Sequence, residues 1–113
     1  MTVALKSRDG RTICERCRVA DTPLARLKGL LGRSELPRGE GLLLRPASAV
    51  HTWFMRFPID AVFVDRDLVV VGVAAGLRPW RAAGRRGARA VLELPAGEAD
   101  RRGIQPGDAL VFA

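Results

Sequence analysis

Between Ile59 and Leu77 the chain runs through two apolar stretches, IDAVFVD and LVVVGVAAGL, joined only by Asp65-Arg66-Asp67. Two β-rich runs separated by so short a polar link form an antiparallel hairpin. The same pattern recurs at the start of the chain, where VALKS and RTICERCRVA flank Asp9-Gly10, a favoured turn pair. LLLRP, SAVHTWFM, AVLEL and the terminal stretch IQPGDALVFA read as further strands, and Pro58 interrupts pairing after the second of these. About seven short strands with almost no helix exclude parallel βαβ layering. Closure is the economical way for so many short strands to hide their edges. The expected fold class is therefore mainly β with one short helix: a single small β-barrel, closed or partly open.

The helix is ADTPLARLKGLLGR. Asp21 or Thr22 can cap its start, Pro23 suits the first turn and Gly32 can end it, so that Leu24, Leu27, Leu30 and Leu31 share one face against the sheet. Gly29 falls in the middle and costs about 1 kcal/mol relative to Ala, which points to a close backbone approach. PAGEADRRG supports one or two further helical turns, and RPWRAAGRRGAR (78–89) reads as an exposed loop.

The 113 residues make one domain, 1–113, large enough to bury about two-thirds of its unfolded surface. No run approaches the roughly 18 apolar residues of a membrane span. The first residues lack a basic start followed by an apolar block, so the expectation is a cytoplasmic chain. The net charge of +7 comes from 17 Arg and 2 Lys. Such an excess suits a polyanion partner, and equally an arginine-rich composition with no particular partner. Cys14 and Cys17 supply only half of a structural zinc site. Residues three apart on a regular strand face opposite ways, so one packed and one incidental cysteine is the first reading, with a disulfide or redox pair as the alternative.

HTWFMRFPID (51–60) concentrates the chain's rare side chains, including its only histidine. On a strand, His51, Trp53, Met55 and Phe57 share one face, with Thr52, Phe54 and Arg56 on the other. His51 is a hydrogen-bonded core imidazole, a ligand contact, or a general base, because histidine titrates nearest neutrality. Asp60 and Glu93 each interrupt an apolar strand, where a carboxylate is costly unless paired. If His51, Asp60 and Glu93 converge they form an acid/base constellation and are the catalytic candidates. The ligand-binding candidates are His51, Trp53, Met55, Arg56 and Asp60. In the loop, Arg78, Arg81, Arg85 and Arg86 around Trp80 are the candidates for single-stranded nucleic acid. The competing reading there is a solvated basic loop with its tryptophan folded back on the core. No motif calls for a cofactor or a metal.

The segments RLKGLLGR, GEGLLLRP, HTWFMRFPIDAVFVDRD, RPWR, AVLELPAGEADRRGI and PGDALVF occur in an order and spacing that resembles the bacterial and archaeal domain-of-unknown-function family 192, from about Cys17 to the C-terminus. The resemblance implies a small, compact, mainly β fold and no established activity. Its signature falls on His51, Thr52, Met55, Arg56, Pro58, Asp60, Glu93, Gly97, Gly107 and Asp108. Many relatives carry a cysteine where this chain has Ala47, which weakens any thiol function here, and some look exported or lipid-anchored, whereas this chain lacks such a leader. Pro58, Gly97, Gly107 and Asp108 also have structural explanations as strand end and turns. The leading functional reading is a non-catalytic β module that binds a small molecule or peptide in a cleft around this motif. An enzyme using His51 with Asp60 or Glu93 is the alternative, and nucleic-acid binding through the loop is the weaker one.

Overall fold

The structure is a computed structural model that describes residues 1–113. Its strands are β1 (Thr2–Ser7), β2 (Thr12–Ala20), β3 (Glu40–Leu44), β4 (Ala49–His51), β5 (Ile59–Val64), β6 (Val70–Leu77), β7 (Ala82–Gly84), β8 (Ala90–Pro95) and β9 (Leu110–Phe112). Two short helices, α1 (Pro23–Lys28) and α2 (Glu98–Arg101), complete it. Seven strands form one sheet in the order β6-β5-β8-β3-β2-β1-β9, and β4 and β7 make a separate two-stranded ribbon. All neighbours pair antiparallel except β2 with β3. No helix is long and apolar enough to cross a membrane.

Of the barrel expected, closed or partly open, the closed form is not present. The two ends of the sheet are joined at one antiparallel bridge, Val69 to Ala109, flanked by three backbone bonds: Val70 N–H to the Asp108 carbonyl at 2.8 Å, Gly107 N–H to the Val70 carbonyl at 2.7 Å and Leu110 N–H to the Leu68 carbonyl at 2.9 Å. The fold is thus mainly β, with a curled, open sheet.

Each face of the sheet carries its own core. Leu43, Val62, Val64, Leu92 and Leu94 point to the larger cluster, where Ala99 and Ile104 from the α2 region cover them. Leu42, Leu44 and Ile59 point the other way, to a cluster closed by Leu30, Leu36 and Met55. Phe63, Val91 and Ala61 extend that second face beneath the ribbon. Such alternation follows from the period-2 geometry of strands. Apart from Glu40 and Pro95 at strand ends, the residues of β5, β8 and β3 are buried because both faces are covered.

The helix departs from expectation in length and burial. Thr22 caps it by accepting from the Ala25 N–H at 3.1 Å, but it ends at Gly29, not at Gly32. Gly29 has φ +47°, a conformation that costs an L side chain about 1 kcal/mol or more. The left-handed residue turns the chain, so Leu30 is buried while Leu24 and Leu27 remain 76% and 73% exposed. Residues 78–89 are not all loop either, since β7 pairs with β4 from Ala49–Gly84 to His51–Ala82.

Both cysteines are fully buried in the larger core. Between Val3–Cys17 and Leu5–Cys14 the register shifts, so three steps along β2 oppose two along β1. This bulge restores Cys14 to the face Cys17 occupies, which regular alternation forbids. The expectation of one packed and one incidental cysteine is corrected accordingly. The thiols are free, and the hydrogen bond with Cys14 together with burial pushes Cys17 up, keeping it a neutral thiol.

Candidate functional site

The HTWFMRFPID stretch is not a continuous strand. β4 ends at His51, the chain then turns, and β5 begins only at Ile59. Phe54 sits at the turn with φ +65°. The expected common face of His51, Trp53, Met55 and Phe57 therefore does not exist. His51, Trp53, Phe54 and Arg56 are exposed, whereas Thr52 and Met55 are buried.

Thr52 is the anchor of this turn. Its hydroxyl donates to the Arg78 carbonyl at 2.6 Å and accepts from the Arg81 N–H at 2.9 Å. Its own carbonyl accepts from the Trp80 N–H at 3.1 Å. One buried side chain thus ties the 52–57 turn to the 78–81 turn. The tie places Phe54 edge-on to Trp80, with ring centroids 4.7 Å apart, while His51 stacks on Trp53 at 4.6 Å.

Asp60 and Glu93 go to opposite faces. Ala61 is the cross-strand partner of Glu93, so Asp60, one residue earlier on β5, points the other way. Asp60 is fully buried and accepts three backbone N–H groups: Gly76 at 2.8 Å, Gly97 at 3.0 Å and Ala99 at 2.9 Å. Gly76 lies in the β6 bulge opposite Asp60, with φ +61°. The carboxylate therefore joins that bulge to the start of α2. It is a structural clamp, and convergence of His51 with Asp60 is corrected by the parity of the strand.

Glu93 has no such partners. It is 4% exposed, no protein group hydrogen-bonds to its carboxyl, and burial alone pushes the carboxyl up to about 7. No fully enclosed side-chain oxygen in the protein lacks a partner, so the Glu93 oxygens are left to the open space beside them. That space is a cleft of about 360 Å³ between α1, the ribbon and the sheet. Its apolar wall includes Leu30, Leu31, Leu44, Val50 and Met55. Arg26, Lys28, Ser48 and His51 add polar groups. Ala47 also lines it.

The cleft thus brings together His51, Met55 and Glu93 of the candidate residues. It does not include Trp53, Arg56 or Asp60. Arg26, Lys28 and the leucines of the α1 region went unflagged, because their leucine spacing read as a buried helix face.

The arginine loop separates into different roles. Arg85 packs over Phe63 at 5.1 Å and donates to the Val73 carbonyl at 3.2 Å, so it is held against the fold. Arg78, Arg81 and Arg86 are exposed. Trp80 is 58% exposed and φ +65°, so the expected tryptophan folded back on the core is not found.

A mainly β protein with a two-faced open sheet and a cleft over a buried glutamate defines the class. The chain belongs to the domain-of-unknown-function family 192, described as an uncharacterised group, whose model matches residues 4–112. The match begins ahead of Cys17, at residue 4 within β1. A UPF0127 protein of Pyrococcus furiosus is 32% identical over 107 residues, covering 89% of this chain and 90% of that one. A UPF0127 protein of Thermococcus sibiricus is 29% identical over 106 residues, covering 89% of this chain and 68% of that one. Among solved structures, a Novosphingobium aromaticivorans protein of unknown function matches with TM-score 0.83 at 30% identity, covering 98% of this chain and 84% of that one. A Sinorhizobium meliloti protein, provisionally described as a transcription regulator, matches with TM-score 0.85 at 26% identity, covering 98% and 92%. The relatives carry no specific function that passes to this chain.

Proposed function

We propose that this protein is a non-catalytic binding module whose cleft over Glu93 takes a small molecule. The observation that carries this reading is the buried Glu93 carboxyl, which has no partner in the protein and faces the cleft. A carboxyl raised by burial and open to a cleft is a candidate for a functional site. The cleft volume of about 360 Å³ lies in the range of small-ligand pockets. The lining favours a mostly apolar ligand that offers a carbonyl or hydroxyl to Glu93. Below about pH 7 the neutral carboxyl donates to that group, and Arg26, Lys28 and His51 suit an anionic substituent.

The enzyme reading keeps His51 and Glu93 in one cleft but loses Asp60 to its structural role. The six- and four-residue helices are too short to serve as a recognition helix in a DNA groove, so the Sinorhizobium label gains no support from the fold.

The test is a thermal-shift screen of metabolites and metals on wild type, Glu93→Gln and His51→Ala. The expected result is a compound that stabilises wild type and loses its effect in Glu93→Gln. A compound that stabilises all three equally binds elsewhere. A hit converted to product by wild type and not by His51→Ala contradicts the non-catalytic reading.

A further inference from the structure

Five large apolar side chains stand exposed on α1 and on the two turns near the cleft. Leu24 and Leu27 project from α1, and Trp53, Phe54 and Trp80 from the two turns clamped by Thr52. Leu27 and His51 both line the cleft and His51 stacks on Trp53, so Leu27 and Trp53 stand beside the opening, while Phe54 packs on Trp80 across the two adjoining turns. Single exposed apolar residues are ordinary, but a contiguous set marks a contact surface.

Two further features separate this set from an accident. Phe54 and Trp80 both hold φ +65°, uncommon for bulky side chains and costing about 1 kcal/mol or more each. The fully buried Thr52 bonds across both turns that carry them. Moreover, residues 22–34, 47–57 and 77–89, which carry these side chains, contain no Asp or Glu. They do contain exposed Arg56, Arg78 and Arg81, none of which forms an ion pair.

We infer that the mouth of the cleft docks on an anionic lipid bilayer. Exposed Trp, Phe and Leu at turn and helix positions enter the headgroup boundary, and the free arginines meet lipid phosphates. Stacking of a nucleic-acid strand fits less well. His51 already covers one face of Trp53, and the Phe54 and Trp80 rings are inclined at 60°, so no parallel row of open ring faces is presented. This docking surface lies beyond the cleft's own ligand and stands on side chains other than Glu93.

Trp53 and Trp80 are the only tryptophans in the chain, so intrinsic fluorescence reads the surface directly. The experiment mixes the protein with vesicles of phosphatidylglycerol and phosphatidylcholine carrying brominated acyl chains, against phosphatidylcholine vesicles alone. The expected result is a blue shift and bromine quenching with the anionic vesicles, and co-sedimentation with them. In Phe54→Asn/Trp80→Asn, where Asn suits the left-handed backbone, partition falls more than about tenfold while the circular dichroism spectrum is unchanged. Each of Arg56→Gln, Arg78→Gln and Arg81→Gln weakens partition about fivefold. Sedimentation without quenching overturns the inference, because it shows only a basic chain on an anionic surface. Quenching by oligodeoxythymidine or by an acidic peptide, with none by brominated lipid, likewise overturns it.

Discussion

Replacing Glu93 by Gln keeps the side chain's size and removes its charge. In the folded protein the Glu93 carboxyl titrates at about 7, against an ordinary value of 4.5. A carboxyl raised in this way is neutral in both folded and unfolded states below about pH 4.5, so it carries no penalty there. Between about 4.5 and about 7 the unfolded chain releases its proton while the folded chain holds it, and stability is lost as pH rises. Above about 7 the loss levels off. The interval corresponds to about 3 kcal/mol, at 1.36 kcal/mol per unit. Glu93→Gln is therefore expected to match wild type near pH 4.5 and to exceed it by about 3 kcal/mol near pH 8, a rise in Tm of roughly 10 °C. Urea denaturation of both proteins at the two pH values measures the difference. Every other titrating group is shared and cancels. A difference that is the same at both pH values, or that favours wild type at pH 8, would refute the reasoning.

Four other outcomes are expected. Asp60→Ala leaves three buried backbone donors without their acceptor and costs about 3 kcal/mol or more, read as a lower urea midpoint at neutral pH. Gly41→Ala places a Cβ at 2.9 Å from the Cys14 Sγ and 3.0 Å from the Glu93 carbonyl, and overpacking there costs about 1–3 kcal/mol in the same assay. Glu98 is held at about 2 by hydrogen bonds from Arg101 and Arg102, so its stabilisation is present above the unfolded value and lost as pH falls from about 4.5 through about 2. Glu98→Gln should accordingly flatten the acid limb of the stability–pH curve. Thr52→Val removes bonds to the Arg78 carbonyl and the Arg81 N–H, costing about 1–3 kcal/mol and increasing hydrogen exchange at Trp80 and Arg81.

Where local patterning decides structure, the chain was legible. The Asp9-Gly10 and 65–67 turns join β1 to β2 and β5 to β6, and Thr22 and Pro23 open α1. Glu93 stood out because a carboxylate among Leu92 and Leu94 has no ordinary reason to be there. Its face could not be told until pairing with Ala61 fixed the parity against Asp60. The turn at 52–57 stayed hidden because its chemistry is tertiary: Thr52 bonds to residues 26 and 29 positions away, and nothing in HTWFMRFPID encodes those partners locally. The bulge that brings Cys14 and Cys17 to one face is invisible for the same reason, since register belongs to the pair of strands. Leucine spacing in ADTPLARLKGLLGR promised a buried face, and the left-handed Gly29 cut it short.

The central claim is that an unpartnered carboxyl on β8, raised by burial, forms the floor of a ligand cleft. Carbon-13 NMR titration of the Glu93 side-chain carboxyl, with and without the compound that stabilises wild type, tests it most directly. The expected midpoint is about 7 in the free protein, displaced when the compound is bound. A midpoint near 4.5, or one that the compound leaves in place, would contradict the account.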